Sequence, residues 1–182
     1  MLEPTPESNS PSQGRRFALP NPLGFWRRLR EERYRRERAE VSRYLRETTA
    51  IALVVNRLYE EWREAVSEPI QDGQKAANVS ASYWWQVTDR LRRFQELSPP
   101  RPARRYHKLL FGALRNGSEG AEVVKNGFRF NKYVEISRGM GLLDSYVEKM
   151  AAAEEELRRL IQRYRLLDDG AADEAGRDVP AG

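Results

Sequence analysis

The sequence predicts an all-α protein, an antiparallel four-helix bundle running up-down-up-down, with long first and last helices and disordered ends. Three observations lead there. Apolar residues recur with a period near 3.6 in four separate segments, no stretch alternates apolar and polar as a half-buried strand does, and proline or glycine clusters separate the segments. Helices with a single apolar stripe must pack on one another, and short connections make neighbours antiparallel.

The first 22 residues hold Pro4, Pro6, Pro11, Pro20 and Pro22 and few large apolar groups, too little apolar surface to offset the entropy of ordering. They are expected to be a disordered tail, and they lack the basic start and apolar run of a signal peptide. The first helix opens near Pro22 and ends before Pro69, with a stripe at Val41, Tyr44/Leu45, Thr48, Ile51/Ala52, Val55, Leu58/Tyr59, Trp62 and Ala65/Val66. Over 23–40 the stripe lapses, which predicts a charged helical arm. Ser67 to Gly73 reads as a turn.

The second helix, about 74–97, carries Ala77, Ser80/Ala81, Trp84, Val87, Leu91, Phe94 and Leu97, and stops at Pro99-Pro100. Pro102 suits the first turn of a third helix, where its missing amide is not needed. That helix continues on Tyr106, Leu110, Ala113, Gly117, Ala121, Val124 and Phe128. Its Gly117 and Gly120 either break it or face a neighbour closely; the unbroken phase favours a continuous helix. Asn126-Gly127 reads as its end. The last helix, about 130–167, runs on Tyr133, Ile136, Met140, Leu143, Val147, Met150, Leu157, Leu160/Ile161 and Tyr164, and residues 168–182 form an acidic flexible tail. The expected core includes Ile51, Val55, Leu58, Trp62, Trp84, Val87, Leu91, Leu110, Leu114, Leu143, Val147 and Leu160. The order of apolar helix, Pro99-Pro100, His107 and amphipathic helix, then a last helix rich in small residues, resembles a pattern in bacterial helical proteins; it implies a helical fold and assigns no functional residue.

Composition removes most chemistry. The 182 residues contain no cysteine and one histidine, His107, so thiolate catalysis, disulfides and zinc or iron–sulfur sites lack their ligands. His107 sits among Ala103, Arg104, Leu110 and Phe111, with no carboxylate on its face to orient an imidazole, and reads as a packing residue beside the proline-rich turn. A carboxylate-bridged di-metal bundle needs Glu-x-x-His, whereas position 104 is arginine. No glycine-rich nucleotide cradle is visible. The expectation is a protein that is not an enzyme and takes no cofactor or metal.

Charge and aromatic placement suggest binding instead. Nine arginines against four glutamates give residues 27–46 a net charge of +5, and seven cations against two glutamates give 104–132 the same. Arg27, Arg28, Arg30, Arg35, Arg36, Arg104, Arg105 and Lys108 are the candidate phosphate-binding residues for sequence-independent nucleic-acid contact. Tyr83-Trp84-Trp85 spans more arc than one stripe absorbs, so Tyr83 or Trp85 should lie at a flank or on the surface, either to meet a partner or to cover the long outer helices of the bundle, while Phe25 and Trp26 beside arginines allow weak contact with a membrane surface. No apolar run approaches the ~20 residues of a membrane span. The leading expectation is a cytoplasmic protein that binds a protein partner or itself; nucleic-acid association is the alternative.

Overall fold

Four α-helices and one 3-10 turn make up the described residues of the computed structural model, which are 22–67 and 73–166. No strand occurs among them. The helices are α1 (Pro22–Ser67), α2 (Gly73–Gln95), α3 (Arg104–Arg129) and α4 (Tyr133–Tyr164), with the 3-10 turn at Arg101–Ala103 leading into α3. The expected terminal tails and most of the expected turn at 67–73 lie outside the described residues.

Two compact units divide the chain, the first ending at Arg35 and the second beginning at Arg36. In the first, α1 residues from Trp26 onward are all exposed, and Arg27 bonds Glu31 one helical turn on, at 3.0 Å. Such an exposed i,i+4 pair supports the helix by only a few tenths of a kcal/mol. This unit has charge and helix-forming residues but no buried side chain among those described.

In the second unit, the stripe read on α1 is buried at Val41, Tyr44, Leu45, Thr48, Val55, Tyr59 and Trp62. Ile51, Leu58 and Leu91, expected in the core, are half-buried at its margin. Pro102 lies in the 3-10 turn, where the Ala103 amide bonds the Pro100 carbonyl at 2.9 Å and α3 follows at once. α3 is continuous through Asn116–Gly120, because Gly117 and Gly120 face α4.

The helix partners follow from residue pairs. Gly127 lies against Ile136, Gly120 against Leu143, Gly117 against Tyr146, and Arg105 bridges to Glu156 at 3.5 Å. Thr88 and Ser118 share a hydrogen bond of 2.8 Å, and Phe94 stacks on His107. Trp62 Nε1 donates to Ser80 Oγ at 3.1 Å, and Tyr146 donates to Asn56 Oδ1 at 2.6 Å. α3 therefore touches every other helix of the unit, with α2 and α4 packed most closely on it.

Three sequence expectations are corrected. Tyr83, not Trp84, occupies the core of α2: Tyr83 is 3% exposed and stacks on Trp62 with ring centres 5.5 Å apart, while Trp84 is half-buried under the Lys125 ammonium. On α4 the buried face runs through Gly139, Leu143, Tyr146, Met150 and Ala153, so Tyr133, Met140 and Val147 are exposed. The face turns because Gly139 must lie against α3, and a glycine does not register as an apolar stripe position. Gly127 is not a helix end: it is buried against Ile136, α3 runs on to Arg129, and the turn falls at Asn131, whose φ of 53° is left-handed. α4 accordingly starts at Tyr133 rather than near 130.

Candidate functional site

His107 occupies a ring cluster rather than a polar cleft. It stacks between Phe94, 4.7 Å away and tilted by 18°, and Phe111, 6.5 Å away and nearly parallel. Its Nδ1 lies 2.6 Å from the Tyr44 hydroxyl. Burial raises the Tyr44 pKa and lowers that of His107, so both causes favour the neutral pair. With the imidazole proton on Nε2, Tyr44 donates to Nδ1. The same burial effect raises Tyr59, Tyr83 and Tyr146, which together with Trp62 form a second aromatic layer. The Tyr83 hydroxyl is buried without a hydrogen-bond partner. These phenols stay protonated at ordinary pH and hold helices apart; none is poised as an acid or base.

The arginines of the two basic segments do not act alike. Arg27 is paired with Glu31, and Arg105 with Glu156 of α4. Arg38 donates to the Tyr164 and Arg165 carbonyls, both at 2.8 Å, and so caps the C-terminus of α4, where orphan carbonyls favour a cation. Arg115 is paired with Glu119, and Arg43 shares a surface hollow with Glu40 and Glu47. Arg28, Arg30, Arg35, Arg36, Arg104 and Lys108 are exposed. Two of the candidate phosphate-binding residues, Arg27 and Arg105, thus engage carboxylates, the latter one of the last helix.

Of the candidate partner residues, Tyr83 is removed to the core, Trp85 is 67% exposed on α2, and Trp26 is exposed on α1. The side chain of Phe25 lies outside the described residues. An apolar groove of about 250 Å³ runs between α1 and α4, floored by Tyr106 and Leu110 of α3 and edged by Leu53, Met150, Leu157 and Ile161. The sequence reading missed two surfaces: this groove, and the α3–α4 turn, where Phe130, Tyr133 and Val134 are 60%, 82% and 82% exposed. The signal for the turn was present in the run Arg129-Phe-Asn-Lys-Tyr-Val134, but Tyr133 was taken into the core stripe.

Among the described residues no group of three or more His, Asp or Glu side chains is placed to hold a metal ion, and no helix is long and apolar enough to cross a membrane. No protein-family model, curated protein or solved structure matches the chain.

Proposed function

We propose that the chain is a non-enzymatic helical-bundle protein that binds another protein, or a second copy of itself, through large side chains its own helices leave uncovered. Trp85 carries this reading. Of the three consecutive aromatics on α2, Tyr83 is spent in the core and Trp84 against Lys125, and Trp85 alone remains exposed. A tryptophan buries up to ~250 Å² when covered and is the residue type most enriched at the energetic centre of interfaces. We read the unit from Arg36 onward as an up-down-up-down antiparallel bundle. In support, the α3–α4, α2–α3, α1–α2 and α1–α4 pairs each match rising residue numbers on one helix with falling numbers on the other.

Nucleic-acid binding through 27–46 and 104–132 has less support, because Glu31, Glu119 and Glu156 already engage arginines of those segments. The test is capture of the partner, or self-association by sedimentation, at ~0.15 and ~0.5 M salt with Trp85→Ala alongside the parent chain. Retention at high salt and a loss of about tenfold or more in Trp85→Ala are expected, since one buried tryptophan contributes more than 2 kcal/mol at an interface. Association untouched by Trp85→Ala, or dissolving with the steep salt slope of a polyanion, overturns the reading.

A further inference from the structure

We propose that the turn between α3 and α4 docks on an anionic lipid surface, with Phe130, Tyr133 and Val134 entering the interface and Arg129 and Lys132 meeting the headgroup phosphates.

The inference starts from an imbalance at this turn. Three large apolar side chains fall within five residues, and all three are majority-exposed. The folding of the chain gains almost nothing from them. Turns are ordinarily built from small and polar residues, and this one needs only Asn131 in its left-handed conformation. An apolar cluster that the fold leaves largely uncovered marks a contact surface.

Charge selects the occupant. The Arg129 guanidinium lies 5.6 Å and the Lys132 ammonium 5.9 Å from the centre of the Phe130 ring, so cations flank the apolar tip. Among the described residues neither takes part in an ion pair. The nearest carboxylate in sequence, Glu135, is engaged by Arg138 at 3.9 Å. Asn131 also brings the start of α2 beside the turn, its side-chain oxygen within 3.5 Å of where a Gly73 Cβ would sit, and Lys75 is exposed two residues further on. An isologous contact between two copies would set these cations against one another. A nucleic acid would find phosphate partners and two rings to stack on, Phe130 and Tyr133, but would leave Val134 without an apolar partner. A bilayer surface accepts all the parts: phosphates for the cations, the hydrocarbon boundary for Phe130 and Val134, and the headgroup level for the amphipathic Tyr133. The turn is distinct from Trp85, so this docking does not depend on the protein-binding reading above.

The experiment is co-sedimentation of the full chain with vesicles of phosphatidylcholine alone and of phosphatidylcholine containing about one-third phosphatidylserine, the anionic lipid of cytoplasmic leaflets. The parent chain should bind the anionic vesicles, bind the neutral ones weakly, and weaken with salt. Arg129→Gln and Lys132→Gln should each lower the partition about fivefold, the worth of one charge near such a surface. The triple variant Phe130→Ser, Tyr133→Ser, Val134→Ser should lower it about tenfold or more while its thermal melt stays unchanged, as exposed positions allow. Trp26→Ser with Leu29→Ser, on the other exposed aromatic segment, should leave binding within twofold. Three results overturn the proposal: no preference for anionic vesicles, loss of binding only in the Trp26/Leu29 variant, or turn variants that lose a single-stranded oligonucleotide while vesicle binding persists.

Discussion

α3 meets α4 through missing side chains, whereas α1 meets its neighbours through large ones. A Cβ at Gly139 would lie 2.8 Å from the Val124 amide nitrogen and 2.9 Å from the Gly120 carbonyl oxygen, and a Cβ at Gly120 would lie 3.0 Å from the Gly139 carbonyl oxygen. Backbone lies on backbone there. α1, by contrast, is held by Tyr44, Tyr59 and Trp62, whose rings and polar tips reach His107, Tyr146, Tyr83 and Ser80. The two arrangements have opposite weaknesses. A close-packed seam is intolerant of addition, since no flexible atom can yield; a ring-spaced seam is intolerant of deletion, since removing a ring leaves a void that the surroundings fill only in part.

The largest expected effect comes from deletion in the ring layer. Trp62→Ala should cost about 3–5 kcal/mol, the range for a buried large aromatic, and it also strips the Ser80 hydroxyl of its donor. Urea denaturation with an unchanged slope checks it; a loss under ~1 kcal/mol would mean that α1 is not anchored by this layer. Addition to the close seam comes next. Gly139→Ala should cost about 1–3 kcal/mol from overpacking, even though alanine is the better helix former. Gly141 is the control, since a Cβ there meets nothing within 4 Å. Gly141→Ala should stabilise the chain by about 0.5–1 kcal/mol, so the two substitutions, two residues apart on one helix, should move the melting temperature in opposite directions. Equal shifts would break the comparison.

The smallest effect is the pH response of the separate cluster around His107. Burial lowers the His107 pKa below its ordinary 6.5, so between the two values the unfolded chain binds the proton and the native chain does not. Stability from this residue is therefore complete above pH ~6.5 and declines as the pH falls towards the folded pKa. Replacing His107 with glutamine should flatten the decline between pH 7.5 and 5.5. A parent and variant with the same pH slope would show that His107 stays as solvated as in the unfolded chain. The proposed binding should survive this substitution, because His107 contacts Tyr44, Phe94 and Phe111 rather than any surface proposed to meet a partner.

Much of the fold was legible because its signals are local. The α1 stripe from Val41 to Trp62, the stop at Pro99-Pro100, Pro102 at the next start and the continuity of α3 through Gly117 all follow from periodicity and proline chemistry. The candidate sites were less so. The pattern does not separate Trp85 from Tyr83, since about 200° of aromatic arc does not say which end the core will take. Periodicity places Tyr133 on the stripe, because it lies in phase with Ile136, yet it is exposed.

Sequence alone determined the helical class, the four segments and the absence of cysteine chemistry, because these depend on local spacing and residue type. Only the tertiary structure decided that Tyr83 lies inside and Trp85 outside, that Gly127 is a contact point rather than a stop, that Gly139 is another contact point, and that Phe130, Tyr133 and Val134 are left uncovered. Those outcomes depend on how near two backbones approach. A glycine that sets that distance contributes no side chain to the hydrophobic pattern from which a helix face is read.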